Sequence, residues 1–143
     1  MSITTDFRRR SATVCGAGAL IVGTSLGAVA APAAASEVTE YGFAGGPECD
    51  AATSVAKVIA ETETERYVLC QRRDSWPPDV HFIGENKFKP VPNRVDDVGF
   101  GPGNYVVNRY GNKILISEHH FEVHGPDGEV ISSEVPTSHR FEL

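Results

Sequence analysis

Residues 104–135 read NYVVNRYGNKILISEHHFEVHGPDGEVISSEV. Short apolar runs alternate in this stretch with glycine-containing turns, a pattern typical of an antiparallel meander. Its strongest turn signal is Pro126-Asp127-Gly128. Proline presets φ, aspartate suits the next position, and glycine accepts the left-handed conformation that closes a three-residue hairpin with a bulge. The stretch predicts a mainly β fold, a small antiparallel meander or sandwich-like domain.

The phase of the apolar residues predicts one interruption in this meander. Ile114 and Ile116 have even numbers, whereas Phe121 and Val123 have odd numbers. One unbroken strand would therefore place the two pairs on opposite faces of a sheet. We expect a bulge or a tight turn within residues 117–120.

A second hairpin is predicted upstream, from the apolar runs at residues 55–60 and 67–70. The acidic string at residues 61–65 would form its solvated connection. A short helix at residues 50–60 is the alternative, because apolar residues there also recur at helical spacing behind Asp50 as a possible N-cap. The pairs that the hairpin would bring together are Val58 and Ile59 with Val68 and Leu69.

Residues 1–35 have the pattern of a signal peptide. Arginines at positions 8–10 precede a weakly apolar run over residues 12–31, and the alanines at positions 33–35 fit the small-residue rule for cleavage. We expect the mature chain to begin near Ser36. A retained membrane helix is the alternative, but glycines interrupt the run and strongly apolar residues are few, so no membrane span is expected after processing.

The mature chain would be acidic. Three of the 13 basic residues and one of the 19 acidic residues lie in residues 1–35, which leaves 10 and 18 and a net charge of −8. Such a protein is repelled by phosphate backbones and anionic lipid, so nucleic acid is not an expected partner. The length suits an extended N-terminal arm over residues 36–48 and a single β-domain over residues 49–143.

Two cysteines remain in the mature chain, Cys49 and Cys70. In an exported and therefore oxidising setting they are predicted to form a disulfide. A closed loop of about 20 residues contributes about 3 kcal/mol of stability in the chain-entropy model.

One dense set of metal-ligand types occurs near the C-terminus, at residues 118–124. In a strand, His120, Glu122 and His124 would share a face, with neighbours about 7 Å apart. His120 and His124 would lie about 13 Å apart, too far to share an ion, so a three-ligand site would need a further ligand from elsewhere, either His81 or His139. The alternative is the polar face of an amphipathic strand. No cofactor is otherwise indicated.

The tryptophan of the chain lies in a proline-rich segment, residues 71–97, which we expect to be irregular apart from a short strand near residues 80–83. Within it Trp76-Pro77-Pro78 could present an aromatic anchor to a partner on a stiff loop. The alternative is that Trp76 fills the core, as a single tryptophan in a small domain commonly does.

A resemblance to a known family rests on spacing. The chain is similar, over residues 55–135, to a domain found in small exported proteins of high-GC Gram-positive bacteria, whose members are compact antiparallel β-structures without an assigned activity. The resemblance therefore implies a fold and no functional residues. The segments that carry it are Asn108-x-x-Gly111-x-x-Ile114-x-Ile116-x-x-x-x-Phe121-x-Val123, then a glycine turn and Glu134, with Tyr67-Val68-Leu69-Cys70 and Phe82-Ile83-Gly84 upstream.

No motif in the sequence carries a specific catalytic chemistry, and G-x-S-x-G is absent. We therefore predict an exported β-domain without catalytic activity that binds a protein or a cell-envelope component and is secreted or envelope-associated. One alternative is a metal-binding protein that uses residues 118–124. Another is a secreted proteinase inhibitor that presents residues 72–80.

Overall fold

The computed structural model describes residues 36–143, and this part of the chain folds into ten β-strands with no helix. It accordingly contains no helix that could cross a membrane. The signal-peptide prediction for residues 1–35 lies outside the described residues. The strands are β1 Ser54–Glu61, β2 Glu65–Arg72, β3 Val80–Asn86, β4 Lys89–Val95, β5 Val98–Gly101, β6 Asn104–Arg109, β7 Asn112–Ile116, β8 Phe121–His124, β9 Val130–Glu134 and β10 Thr137–Phe141.

The strands form two antiparallel sheets of five strands each. The first sheet has the order β10-β1-β2-β3-β4, and the second has the order β5-β6-β7-β8-β9. Sequence neighbours pair within each sheet, as in a meander, and the last strand returns to pair with β1. The predicted mainly β, antiparallel fold is confirmed.

The main core lies between the two sheets, where alternate residues of facing strands meet. Tyr67 of the first sheet is at its centre, with ring centroids 4.9 Å from Phe121 and 6.0 Å from Phe82. The fully buried side chains of this core are Val58, Ala60, Tyr67, Leu69, Val80 and Phe82 from the first sheet and Tyr105, Val107, Ile114, Ile116 and Phe121 from the second.

A second, smaller core covers the outer face of the first sheet. The N-terminal segment over residues 36–49 packs there through Phe43, which is 1% exposed, and through Cys49. Two isolated bridges fold this segment back on itself, and Gly42 sits where a Cβ would lie 2.3 Å from the carbonyl oxygen of Pro47. The first sheet is thus covered on both faces.

The β1–β2 hairpin is confirmed, and it places Val58 opposite Leu69 and Ile59 opposite Val68. The alternative of a short helix at residues 50–60 is wrong, because β1 occupies Ser54–Glu61. Both faces of this strand are buried, the inner face in the main core and the outer face under the N-terminal segment. A strand buried on both faces has a continuous apolar run, which a helical spacing can mimic.

Residues 61–65 connect β1 and β2 as predicted, but only Glu63 is exposed to solvent, so the expected solvated connection is only partly confirmed. Glu61 pairs with Lys87 at 2.8 Å, and Glu65 pairs with Arg109 of the second sheet at 3.3 Å. Thr62 is buried and receives backbone hydrogen bonds in the turn. Glu61 and Glu65 thus meet basic side chains from distant parts of the chain, which the local sequence does not show.

The predicted interruption at residues 117–120 is confirmed as a tight connection. Ile116 pairs with Phe121 across it, and the Ser117 N–H donates to the carbonyl of His120 at 2.9 Å. The chain reverses here, so Ile116 and Phe121 both point into the core despite their opposite parity.

The turn at Pro126-Asp127-Gly128 is confirmed as well. The Gly125 N–H donates to the carbonyl of Glu129 at 2.8 Å, and Gly128 adopts a φ of +82°. The register of β8 and β9 shifts beside this turn, which is the expected bulge.

The expectation for residues 71–97 is only partly confirmed, because the strand predicted near residues 80–83 is present and residues 73–79 are irregular, whereas β4 is a strand where none was predicted. This segment contains β3 and β4 in full, and the prolines at positions 90 and 92 lie inside β4. Proline is tolerated there because β4 is at the edge of the first sheet, where a missing N–H faces no partner strand.

Candidate functional site

The connection between β2 and β3 displays Trp76 to solvent, with 92% of its surface exposed. The alternative that Trp76 fills the core is therefore wrong, since aromatic residues of both sheets already fill that space. An exposed tryptophan leaves a large apolar area in water, which favours contact with a partner.

Hydrogen bonds at its base close this connection. The Arg72 N–H donates to the carbonyl of Asp79 at 2.8 Å, which ties the two ends together. The Ser75 hydroxyl donates to the carbonyl of Arg72 and accepts from the N–H of Asp79, both at 3.0 Å. The Ser75 hydroxyl therefore connects the two ends of the loop.

Arg73 attaches the same loop to the chain before β1. Its N–H donates to the carbonyl of Thr53 at 2.8 Å, and its guanidinium donates to the carbonyls of Ser54 and Ala51 at 3.3 and 3.2 Å. We call residues 73–79 the Trp76 loop, and its bracing makes it a preorganised element.

A polar cleft of about 390 Å³ opens beside the base of this loop, on the outer face of the first sheet. We call it the His81 cleft. Arg72 and Asp79, which meet at the base of the Trp76 loop, both line the cleft, so the loop and the cleft form one continuous surface. The charged or titratable side chains in its lining are Glu48, Asp50, Arg72, Asp79, His81 and Arg94.

His81 lies deepest among these groups and is 7% exposed. Burial lowers the pKa of His81, and the nearby Arg94 guanidinium lowers it further. The carboxylates of Asp96 and Asp79 raise the pKa by less, so it stays below its ordinary value. The imidazole is therefore neutral at pH 7 and offers one donor and one acceptor. It makes no hydrogen bond to any residue within 36–143.

The disulfide shapes this cleft. Cys49 and Cys70 are joined with an S–S distance of 2.02 Å, which confirms the predicted pair. Cys70 lies opposite His81 in the β2–β3 register, and Cys49 is flanked by Glu48 and Asp50. The bridge thus holds two acidic residues of the N-terminal segment over the sheet at the point where His81 sits.

The predicted metal ligands are only partly brought together. His124 Nε2 lies 3.0 Å from a carboxylate oxygen of Glu122, and the other carboxylate oxygen accepts from the Ser133 hydroxyl at 3.5 Å. His120 is exposed in the turn before β8, and His81 belongs to the other sheet. Across residues 36–143 no three histidine, cysteine or acidic side chains converge on one point.

Sequence reasoning placed Trp76 correctly in a stiff loop but missed the other components of the cleft. Asp79 and His81 are two residues apart, a spacing that puts them on one face of a strand. That spacing could have indicated from the sequence that Asp79 and His81 lie on one surface. Arg72 and Arg94 join them only through the β2–β3 and β3–β4 pairings, and β4 was not expected at all.

Comparison of the chain with protein-family models, with curated proteins and with solved structures gives no match.

Proposed function

We propose that this protein is an exported β-domain without catalytic activity, which binds another protein or a cell-envelope component through the Trp76 loop. The observation that carries the proposal is the 92% exposure of Trp76 on a braced loop. Tryptophan is enriched among the residues that dominate binding energy. A loop that is already ordered loses little entropy when it binds.

The surroundings of Trp76 suit such a contact. An apolar anchor lies beside a polar cleft, which matches the apolar centre and polar rim of protein interfaces. The net charge of −8 for the predicted mature chain disfavours nucleic acid and anionic lipid as the partner.

A secreted protease is a second candidate partner, because the segment over residues 72–80 is closed by hydrogen bonds at its base and points its tip to solvent. Residual activity of a small panel of secreted proteases, measured with excess protein, tests this candidate. Inhibition that Trp76→Ala leaves unchanged would argue against the loop as the inhibitory element.

The proposal is tested by affinity capture of envelope components from the producing cells on immobilised wild-type protein, Trp76→Ala and Phe88→Ala. Phe88 is the matched control, since it is 81% exposed on a different hairpin. We expect a component that wild type and Phe88→Ala retain equally and that Trp76→Ala retains about tenfold less, the loss of a single anchor. Equal retention by Trp76→Ala would remove the loop as the docking element.

A further inference from the structure

We propose that the His81 cleft binds a small dipolar ligand, one that carries both a carboxylate and an ammonium group, with the carboxylate on Arg72 and the ammonium on Asp79. The cleft adjoins the Trp76 loop, but the binding of a small ligand in it does not require a partner on Trp76. Some polar groups of the cleft are already paired within the fold, and others are left for a ligand.

Several charged groups of the cleft have partners in the fold. Arg94 pairs with Asp96 at 2.8 Å. Asp50 accepts from the N–H of Ala52 at 2.9 Å, and Glu48 accepts from the hydroxyl of Thr39 at 3.3 Å. These contacts orient the side chains along the walls of the cleft.

Two opposite charges stay unpaired at the base of the Trp76 loop. Within residues 36–143 the side chains of Arg72 and Asp79 have no hydrogen-bond or ion-pair partner, and they do not pair with each other. Their backbones meet at 2.8 Å across the two strands, so both side chains start from one place in the lining. A ligand with two opposite charges can engage both.

The His81 side chain supplies a further polar group that faces the cleft. It is more than nine-tenths buried, lines the cleft and has no hydrogen-bond partner among the described residues. Its ring nitrogens are not among the fully buried unpaired polar atoms of residues 36–143, so they are open to the cleft and within reach of a ligand there. The neutral imidazole can accept from an ammonium or donate to a carboxylate.

The size and charge of the cleft define the ligand class. A volume of about 390 Å³ is at the small end of ligand pockets, which suits an amino acid or a dipeptide. A simple anion would meet the carboxylates of Glu48 and Asp50 without compensation, and a simple cation would leave Arg72 unsatisfied. A dipolar molecule avoids both penalties.

The test is NMR titration of the whole protein with the His81 imidazole resonances as the local probe. Four probes are used at equal ionic strength: alanine, the dipeptide alanyl-alanine, acetate and ethylamine. We expect saturable shifts of His81 with one or both dipolar probes and about tenfold weaker effects with acetate and ethylamine. If alanine binds more tightly, the site takes a free amino acid. If alanyl-alanine binds more tightly, the site takes a dipeptide, whose charged termini are farther apart.

Variants assign the two charges. Arg72→Gln and Asp79→Asn should each weaken the dipolar probe about tenfold, the loss of one charged hydrogen bond. Both residues are exposed at the end of the sheet, so their replacement spares the core. Lys113→Gln and Asp127→Asn, exposed on the second sheet, are matched controls that should bind as wild type.

Two results would overturn the proposal. One is the absence of any shift of the His81 imidazole resonances with either dipolar probe at about 10 mM, a concentration that would saturate a site with a dissociation constant of about 1 mM. The other is an equal response to acetate or to ethylamine, which would show a plain anion or cation site.

Discussion

Two buried tyrosines of the main core differ in whether the side-chain hydroxyl has a hydrogen-bond partner. The Tyr105 hydroxyl donates to the carbonyl of Glu142, whereas the Tyr67 hydroxyl finds no partner within residues 36–143. Burial raises the pKa of Tyr105 to about 12, with a further contribution from Glu142. Burial also raises the pKa of Tyr67. Both hydroxyls are therefore neutral in the folded protein at all ordinary pH values.

Replacing each of these tyrosines by phenylalanine should give opposite results. Tyr105→Phe loses a hydrogen bond and leaves a carbonyl without its partner, so it should lower the free energy of unfolding by about 1 kcal/mol. Tyr67→Phe removes an unsatisfied hydroxyl and should be neutral or slightly stabilising. Urea unfolding of both variants measures this, with exposed Tyr110→Phe as the control. A larger loss for Tyr67→Phe than for Tyr105→Phe would contradict it.

At the scale of elements, the disulfide connects the N-terminal segment to the centre of the first sheet. Cys49 and Cys70 are 21 residues apart in sequence, and their bridge is buried beside Phe43 in the smaller core. It therefore has two roles, to restrict the unfolded chain and to position the acidic wall of the His81 cleft.

The double variant Cys49→Ala/Cys70→Ala should lower the free energy of unfolding by about 3 kcal/mol, because the unfolded chain regains the freedom of the closed loop. Urea unfolding without a reductant measures the loss, and wild type treated with a reductant should approach the same value. A loss below about 1 kcal/mol would show that the packing of Phe43 fixes the segment without the bridge.

Elements differ in how far the sequence predicts them. The strands around Ile114 and Phe121 follow from parity and turn chemistry, which are local signals. β4 was missed because Pro90 and Pro92 are strand breakers by local rules and are allowed only by its edge position, which is a property of the sheet. The cleft was missed for a similar reason, since Arg72 and Asp79 meet through a strand register.

At the scale of the whole molecule, the two sheets have different surroundings. The first sheet is covered on its outer face by the N-terminal segment and carries the loop and the cleft. Polar links join the two sheets at the edge of the main core, among them the Glu65–Arg109 pair and the contact between Thr64 and Glu134. The site is thus presented by a sheet that is fixed on both sides.

Glu134 makes this assembly sensitive to acid. Burial alone would raise its pKa, but hydrogen bonds from Thr62 and Thr64 outweigh burial and hold the pKa of Glu134 below its ordinary value. Because the folded pKa is depressed, the stabilisation is present above the unfolded pKa of about 4.3 and is lost as the pH falls through the folded pKa.

Glu134→Gln should therefore be less stable than wild type at neutral pH, and its stability should fall less steeply below about pH 5. Urea unfolding across this range measures the difference. Glu129→Gln, an exposed position in the preceding turn, is the control and should keep the wild-type slope. An unchanged acid slope in Glu134→Gln would show that this contact does not link the sheets energetically.

The docking role of the Trp76 loop can be measured by the fluorescence of Trp76, the one tryptophan of the chain. In the free protein we predict emission typical of indole in water and full quenching by acrylamide. After addition of the component captured by wild type, we predict a blue shift and strong protection from quenching. Emission that is already blue-shifted in the free protein, or quenching that is unchanged in the complex, would contradict the docking role of the Trp76 loop.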